Sequence, residues 1–383
     1  MKRDVLAWGE GRRPEKVVSK ETLNHRGIIE LVGGIDVYQD TVAAYREAYK
    51  RLGIDIINRV PLVNALPPTP SGSRREHPEH SDYTLLPLGV FDTAIRHKYP
   101  CQTPGDVWNR DVFDIDSLDY DRLVVPVPHS CRGDDIQQRE EALGEIGLYY
   151  PMLYTTLFMW GVETLGWEQF MLAAMSNPTG FYESFLVPCA RKSQQIIDEV
   201  ANSSCSPFLF IHDDLADSRG PVFRPHWYDE NIFPLYCEIL KPAFAVGKKI
   251  VFVADGNMTV FLPRLREIGV SGIMFENPAT PLEAVIEHFG DAFMIGGIDT
   301  AKLTFGTPKE VQRMVYDLFD RMSGFIGFAI SSCGGLHGNI PMDNLIAYFQ
   351  ARADIGATPK DWMPHIPSPI QHSGTKQSTG GFL

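Results

Sequence analysis

The sequence has little cysteine. Six are spread over 383 residues, at Cys101, Cys131, Cys189, Cys205, Cys237 and Cys333, and none stands in a C-x-x-C pair. A disulfide framework is not expected in a chain of this length, and a reducing cytoplasm is the expected compartment. Long hydrophobic runs are missing too. Nothing approaches the roughly 20 apolar residues of a bilayer span. The stretch MKRDVLAWGEGRRPEK has charges but no apolar segment, so no secretory signal is expected. Basic charge is in deficit: 35 Lys and Arg stand against 48 Asp and Glu, a formal net charge of -13. That balance disfavours nucleic acid, whose phosphates need Lys and Arg, and an anionic membrane surface. A glycine-rich phosphate turn after an early strand is also absent, which argues against a doubly wound nucleotide-binding sheet.

What is present is an ordinary globular composition, 44% hydrophobic and 22% charged, ample for a large core. The first half is irregular. Val42, Ala43, Tyr45 and Tyr49 recur at helical spacing and predict a helix over 37–52 ended by Gly53. The stretch 64–82 is rich in Pro, Ser and charge and reads as a lid or a long loop, with a hairpin beside it over 84–100. From Trp167 onward strands and helices alternate strictly. The candidate strands are Ile54–Asn58, Leu123–Val127, Met152–Thr156, Phe208–Ile211, Ile250–Ala254, Ile273–Phe275, Phe293–Ile295 and Phe328–Ser331. Strands apolar on both faces and separated by helices mean a parallel sheet covered by helices. The count points to an α/β fold, a (β/α)8 TIM barrel with an N-terminal helical extension and a long loop region in its first half. The expected organisation is an extension and helix over 1–50, the barrel over 51–355, and a Pro-, Ser- and Gly-rich arm over 356–383.

Consecutive strands run into ionisable residues: His212-Asp213-Asp214, Asp255, Glu276, Asp299 and Cys333. In a parallel barrel all carboxyl ends of strands share one face, where such enzymes carry their chemistry. These residues are therefore expected to converge on one cavity. Each has a plainer explanation alone. Asp255 and Asp299 suit the N-caps of following helices, Asp214 suits a pair with Arg219 or Arg224, and Cys333 suits a buried thiol. Their recurrence at one face favours function.

The segments HDDLADSRGPVFRPHWYDENIFP, VFVADGN, EHFGDAFMIGGIDTAKLTFGTPKEV and SSCGGLHGNIPMDNLIAYFQA resemble the uroporphyrinogen decarboxylase superfamily of (β/α)8 barrels. The resemblance runs from about Leu209 to Arg352. It implies either decarboxylation or methyl transfer. The arginine-rich motif with which the porphyrinogen decarboxylases hold their substrate is missing here. The His-x-Cys of the thiol-methylating branch reads Val253-Ala254-Asp255, and only its later cysteine remains, as Cys333.

The branch that resembles this chain best moves a methyl group from a small O- or N-methylated compound to a corrinoid (cobalamin) carried by a partner protein. Such a methyl has a poor leaving group, which needs a proton or a Lewis acid. The resemblance implies Asp255, Glu276 and Asp214 as catalytic groups. It implies His212, Asp213, Asp299, Tyr154 and Trp160 as substrate-binding, with Phe158 beside them; core packing is the alternative for these aromatic residues. Zinc is the implied metal, with Asp255 as a ligand beside Cys333, Glu276, His337 or His212. The alternative is that no metal binds and Asp255 hydrogen-bonds the substrate. A second expectation is a decarboxylase of a small organic acid on the same barrel. A homodimer is a further expectation.

Overall fold

The computed structural model describes residues 2–67, 75–76, 81–117 and 133–363. The candidate strand Leu123–Val127, most of the 64–82 loop and the arm beyond residue 363 lie outside the described residues.

A seven-stranded parallel sheet runs in the order Val18–Ser19, Phe328–Ser332, Phe293–Ile298, Gly272–Phe275, Lys249–Ala254, Phe208–His212, Met152–Leu153. A separate parallel pair joins Ile56–Ile57 to Leu148–Tyr149. Together they close a ring. Lys20 bridges in parallel to Ile56. Leu148–Tyr149 continues past Pro151 into Met152–Leu153: Tyr150 N–H donates to the Ile57 carbonyl at 3.0 Å, and Phe210 N–H donates to the Pro151 carbonyl at 3.0 Å. Counting that interrupted segment once gives eight staves and a (β/α)8 barrel.

The third and first staves differ from the strands read off the sequence. The third starts at Leu148 and stops at Leu153, because the chain turns toward a helix at Phe158–Ser176. The first, Val18–Ser19, has no counterpart in the sequence reading and lies within residues 1–50. Two residues followed by Lys20-Glu21 show no periodicity; only pairing with Phe328–Ser332 on one side and Ile56 on the other makes them a strand.

The helices return each strand to the start of the next. Thr41–Leu52 begins at Asp40, whose side chain accepts from Ala43 N–H, and ends at Gly53 with φ 66. A side chain at Gly53 would also meet Pro359 at 2.6 Å, so glycine is required there. Pro308–Met322 opens with a capping box of Thr307 and Glu310. The expected hairpin is an antiparallel pair, Tyr83–Leu86 with Thr93–Arg96.

Two hydrophobic layers follow from the alternation of side chains along each strand. Val18, Ile56, Leu148, Tyr150, Phe208, Phe210, Val251, Val253, Met274, Phe293, Ile295 and Ala329 fill the barrel. Trp8, on the Lys2–Gly9 helix, packs in the same cluster, 5.5 Å from Phe208 and 4.7 Å from Phe293 between ring centroids. Those two rings sit at the amino ends of their strands, so the helix plugs the bottom of the barrel. The alternate residues pack outward against the helices.

Candidate functional site at the barrel mouth

Period two selects the residues of the mouth. Continuing the inward faces past the core gives Lys20, Tyr154, His212, Asp255 and Glu276 one step on, and Cys333 two steps past Ala329. Apolar layers hold the lower barrel, and the next layer up carries ionisable groups.

Among the described residues, His212, Asp214 and Asp255 offer ligand atoms all within 4.8 Å of one another. His212 is buried, stacked on the Tyr154 ring at 4.6 Å with planes 14° apart. Its Nδ1 lies 2.7 Å from the Tyr154 carbonyl, and so donates to it, while Nε2 faces Asp214 Oδ1 at 3.2 Å. Asp214 Oδ1 also accepts the Asp255 N–H at 3.0 Å. Glu276 Oε2 accepts the N–H of Gly256 at 2.9 Å. Gly256 has φ 80, and a Cβ there would lie 2.5 Å from the Ala216 carbonyl oxygen, so the turn after Asp255 demands glycine.

The charges of this cluster shift one another. Burial alone would lower the His212 pKa, but the charge and hydrogen bond of Asp214, with the charge of Asp255, raise it to about 9. Desolvation pushes Asp214 up, and the His212 charge and hydrogen bond outweigh it, so Asp214 lies below its ordinary value. Asp255 is raised to about 6: desolvation by the barrel walls leads, the charges of Asp214 and Glu276 add, and His212 and Lys20 oppose. Asp255 still touches solvent in the mouth, so this carboxylate is both reachable and reluctant to ionise.

The donor set of one imidazole and two carboxylates suits a divalent transition metal, zinc included. A carbonyl on Nδ1–H leaves Nε2 to face the ion, the usual second-shell arrangement of a metal-binding histidine. The close group differs from the ligand set implied by resemblance. Asp255 and His212 are common to both, whereas Cys333, Glu276 and His337 lie outside the close group. The Cys333 thiol donates to the Phe275 carbonyl at 3.4 Å and accepts from Asn277 N–H at 3.3 Å. Burial foremost pushes that thiol up to about 12, so it stays protonated. His337 lies in the loop after the last strand, where Nδ1 accepts from Asn339 N–H at 3.3 Å.

Three residues expected to bind substrate serve the scaffold. Asp213 points outward by parity. Its buried carboxylate accepts N–H groups of Leu157, Phe158 and Met159 at 2.8, 2.8 and 2.7 Å and the Tyr236 hydroxyl at 2.6 Å. It holds the start of the Phe158–Ser176 helix. Asp299 caps the Thr300–Phe305 helix, accepting from Ala301 and Lys302 N–H. Trp160 is fully buried behind the barrel, its Nε1–H donating to Ser193 Oγ at 2.8 Å. Phe158 is buried in the same layer.

Two cations of the mouth had escaped notice. Lys20 ends the stave with no periodic signal, and Arg59 follows the Ile56–Ile57 strand in irregular chain. Glu163 had escaped too. It lies on the Phe158–Ser176 helix, 3.6 Å from Arg96 of the hairpin. Burial raises it to about 7 against the charges of Arg96 and His212.

No helix among the described residues is long and apolar enough to cross a membrane. A comparison with curated proteins gives no match. Among solved structures, a xylose isomerase-like TIM barrel protein from Mycobacterium smegmatis, in complex with magnesium, is 10% identical. It covers 91% of this chain and 98% of its own, with a TM-score of 0.37. An endo-beta-1,4-xylanase from Gloeophyllum trabeum is 10% identical over 56% of this chain and 77% of its own, at a TM-score of 0.35. A chitinase from Chromobacterium violaceum is 9% identical over 60% and 86%, at 0.34. The barrel assignment rests on the strand pairing itself. Residues 182–355 match the family model described as Uroporphyrinogen decarboxylase (URO-D). His212, Asp214, Asp255, Glu276 and Cys333 all fall inside that match, which supports placing this part of the chain in the uroporphyrinogen decarboxylase superfamily.

Proposed function

We propose that the protein is a methyltransferase that moves a methyl group from a small O- or N-methylated substrate to the reduced cobalt of a corrinoid protein. The observation that carries this reading is the convergence of His212, Asp214 and Asp255 beside Glu276 at the open end of the barrel. Breaking a methyl–oxygen or methyl–nitrogen bond leaves the electron pair on the heteroatom, which must then take a proton. Asp255, raised to about 6 and open to the cavity, holds that proton and delivers it as the bond breaks. Asp214 keeps His212 charged and oriented, and Glu276 is aligned by the Gly256 N–H. In place of that proton, a metal held by neutral His212 and ionised Asp214 and Asp255 would supply Lewis-acid polarisation of the same leaving atom.

A partner of protein size needs a landing surface. Leu66 and Phe305, 79% and 86% exposed, stand on the segments that follow the strands Ile56–Ile57 and Phe293–Ile298. They are the apolar contacts we assign to the corrinoid protein.

The test is direct. Purified protein, with zinc supplied, is mixed with cob(I)alamin and a panel of O- and N-methylated acids and amines. Loss of the cob(I)alamin absorbance with at least one donor is expected, and the Asp255→Asn variant should slow it about 10²–10³-fold. No loss with any donor sinks the reading. The decarboxylase description of the matching family model favours a second reading, decarboxylation of a small acid. Release of carbon dioxide from a panel acid without any cobalt chemistry would select it.

A further inference from the structure

The mouth has two electrical halves. Around a ring of eight staves, strands four places apart stand opposite each other. Lys20, on the first stave, is across from Asp255 on the fifth. Arg59, just past the second, is across from Glu276 on the sixth. One side is acidic and the other basic.

The basic side lacks counterions. Lys20 is 2% exposed, yet among the described residues its Nζ donates only to the neutral Thr22 hydroxyl, at 3.0 Å. Burial lowers its pKa to about 8, with the Glu21 charge opposing. The neighbouring Glu21 cannot pair with it across the strand. That carboxylate is turned outward, where it accepts from Ser332, Tyr348 and Arg352. Arg59 is half-buried with its guanidinium 5.5 Å over the Phe91 ring and hydrogen-bonded to the Tyr45 hydroxyl, while its Nε and Nη1 find no acceptor among the described residues. Among the described residues neither cation makes an ion pair, while Lys16 and Arg352, also on or near this side of the barrel, each have a carboxylate within 3.0 Å. Buried donors without acceptors are rare in folded proteins and call for a reason. A buried ammonium and a partly satisfied guanidinium, on staves opposite those that carry the acidic residues, have a simple one: the ligand brings the anion.

We propose that Lys20 and Arg59 hold a carboxylate of the substrate, so that the substrate is a small methylated acid spanning the mouth from its basic to its acidic side. The methylated heteroatom then lies at Asp255 and the carboxylate at Arg59. The methyl group in this statement rests on the methyltransferase reading; the carboxylate does not.

The experiment measures binding, not turnover. Methoxyacetate and 3-methoxybenzoate are titrated calorimetrically into the full chain, alongside their neutral amides, and melting is followed for the parent, Lys20→Met and Arg59→Gln. At least one acid should bind tenfold or more tightly than its amide. Each variant should lose that preference, leave amide binding unchanged, and melt no lower than the parent. The proposal is overturned if neither acid binds, if acid and amide bind alike, or if both variants keep the preference. Variants that melt lower yet keep it show cations that merely support the fold. An acid preference without methyl transfer to cob(I)alamin overturns the methyltransferase reading and leaves the carboxylate site standing.

Discussion

Asp213 and Asp214 are neighbours in the chain but belong to two different regions. Asp213 faces the packed layer between strand and helix, where three backbone N–H groups and the Tyr236 hydroxyl surround it. Asp214 faces the barrel mouth, where it meets His212 and the N–H of Asp255. Burial raises the first to about 6, whereas the His212 charge brings the second below its ordinary value despite desolvation. In the layer a carboxylate is saturated by fixed donors and cannot receive anything more. In the mouth it keeps capacity for an ion or a substrate. Asp299 adds a third case, a carboxylate at a strand end whose side chain is spent on a helix cap. A strand ending in Asp is thus common to both regions; the direction of the side chain separates structure from chemistry.

This contrast can be broken by substitution. The largest effect should come from Asp213→Ala. It strips four buried donors of their acceptor, and at about 1 kcal/mol or more for each unsatisfied group it costs about 4 kcal/mol of stability. Urea unfolding reads this; a midpoint equal to the parent's would show that the layer does not need the carboxylate. Asp255→Asn should do the reverse. Methyl transfer should fall about 10²–10³-fold, as for loss of a general acid, while the melting temperature stays level or rises. A large loss of stability there would erase the distinction between the two regions.

Glu163 sharpens the comparison because it lies between them. Its pKa is raised to about 7 from 4.5, chiefly by burial, so the folded state binds its proton more tightly than the unfolded chain does. Its contribution to stability is complete below about 4.5 and is lost as pH rises through about 7. Against Glu163→Gln, the parent should therefore lose relative stability over that window, by about 3 kcal/mol. Parallel pH profiles of the two proteins would refute it. The smallest effect should be that of Cys333→Ser. Its thiol is engaged with the Phe275 carbonyl and Asn277 N–H, so bound metal, measured by elemental analysis, should be unchanged. Loss of the metal would return Cys333 to the ligand set.

Much of the fold was legible because its signals are local. Apolar runs such as Ile250–Ala254 and Phe328–Ser331 need no partner to be read as buried strands, and Thr307-Pro308 marks a helix start from chemistry within four residues. The strand end at Asp255 was legible for the same reason, and so was Gly256. Val18–Ser19 was not, since a two-residue strand exists only through its neighbours. Nor was Lys20 as a site residue, because nothing near it in the chain marks a strand end; Arg59 directly follows the candidate strand Ile54–Asn58, but a lone arginine there carried no signal of a site. The close grouping of His212 with Asp214 and Asp255 was not legible, because resemblance supplied residue types without their directions.

The sequence by itself determined that apolar strands alternate with helices and that several of those strands run into ionisable residues. It did so through periodicity and turn chemistry, which act over a few residues. The tertiary structure alone decided which of those residues share a cavity. Closing the ring gives each strand one inward and one outward face, and that parity sends Asp214 and Asp255 to the mouth and Asp213 to the packing layer.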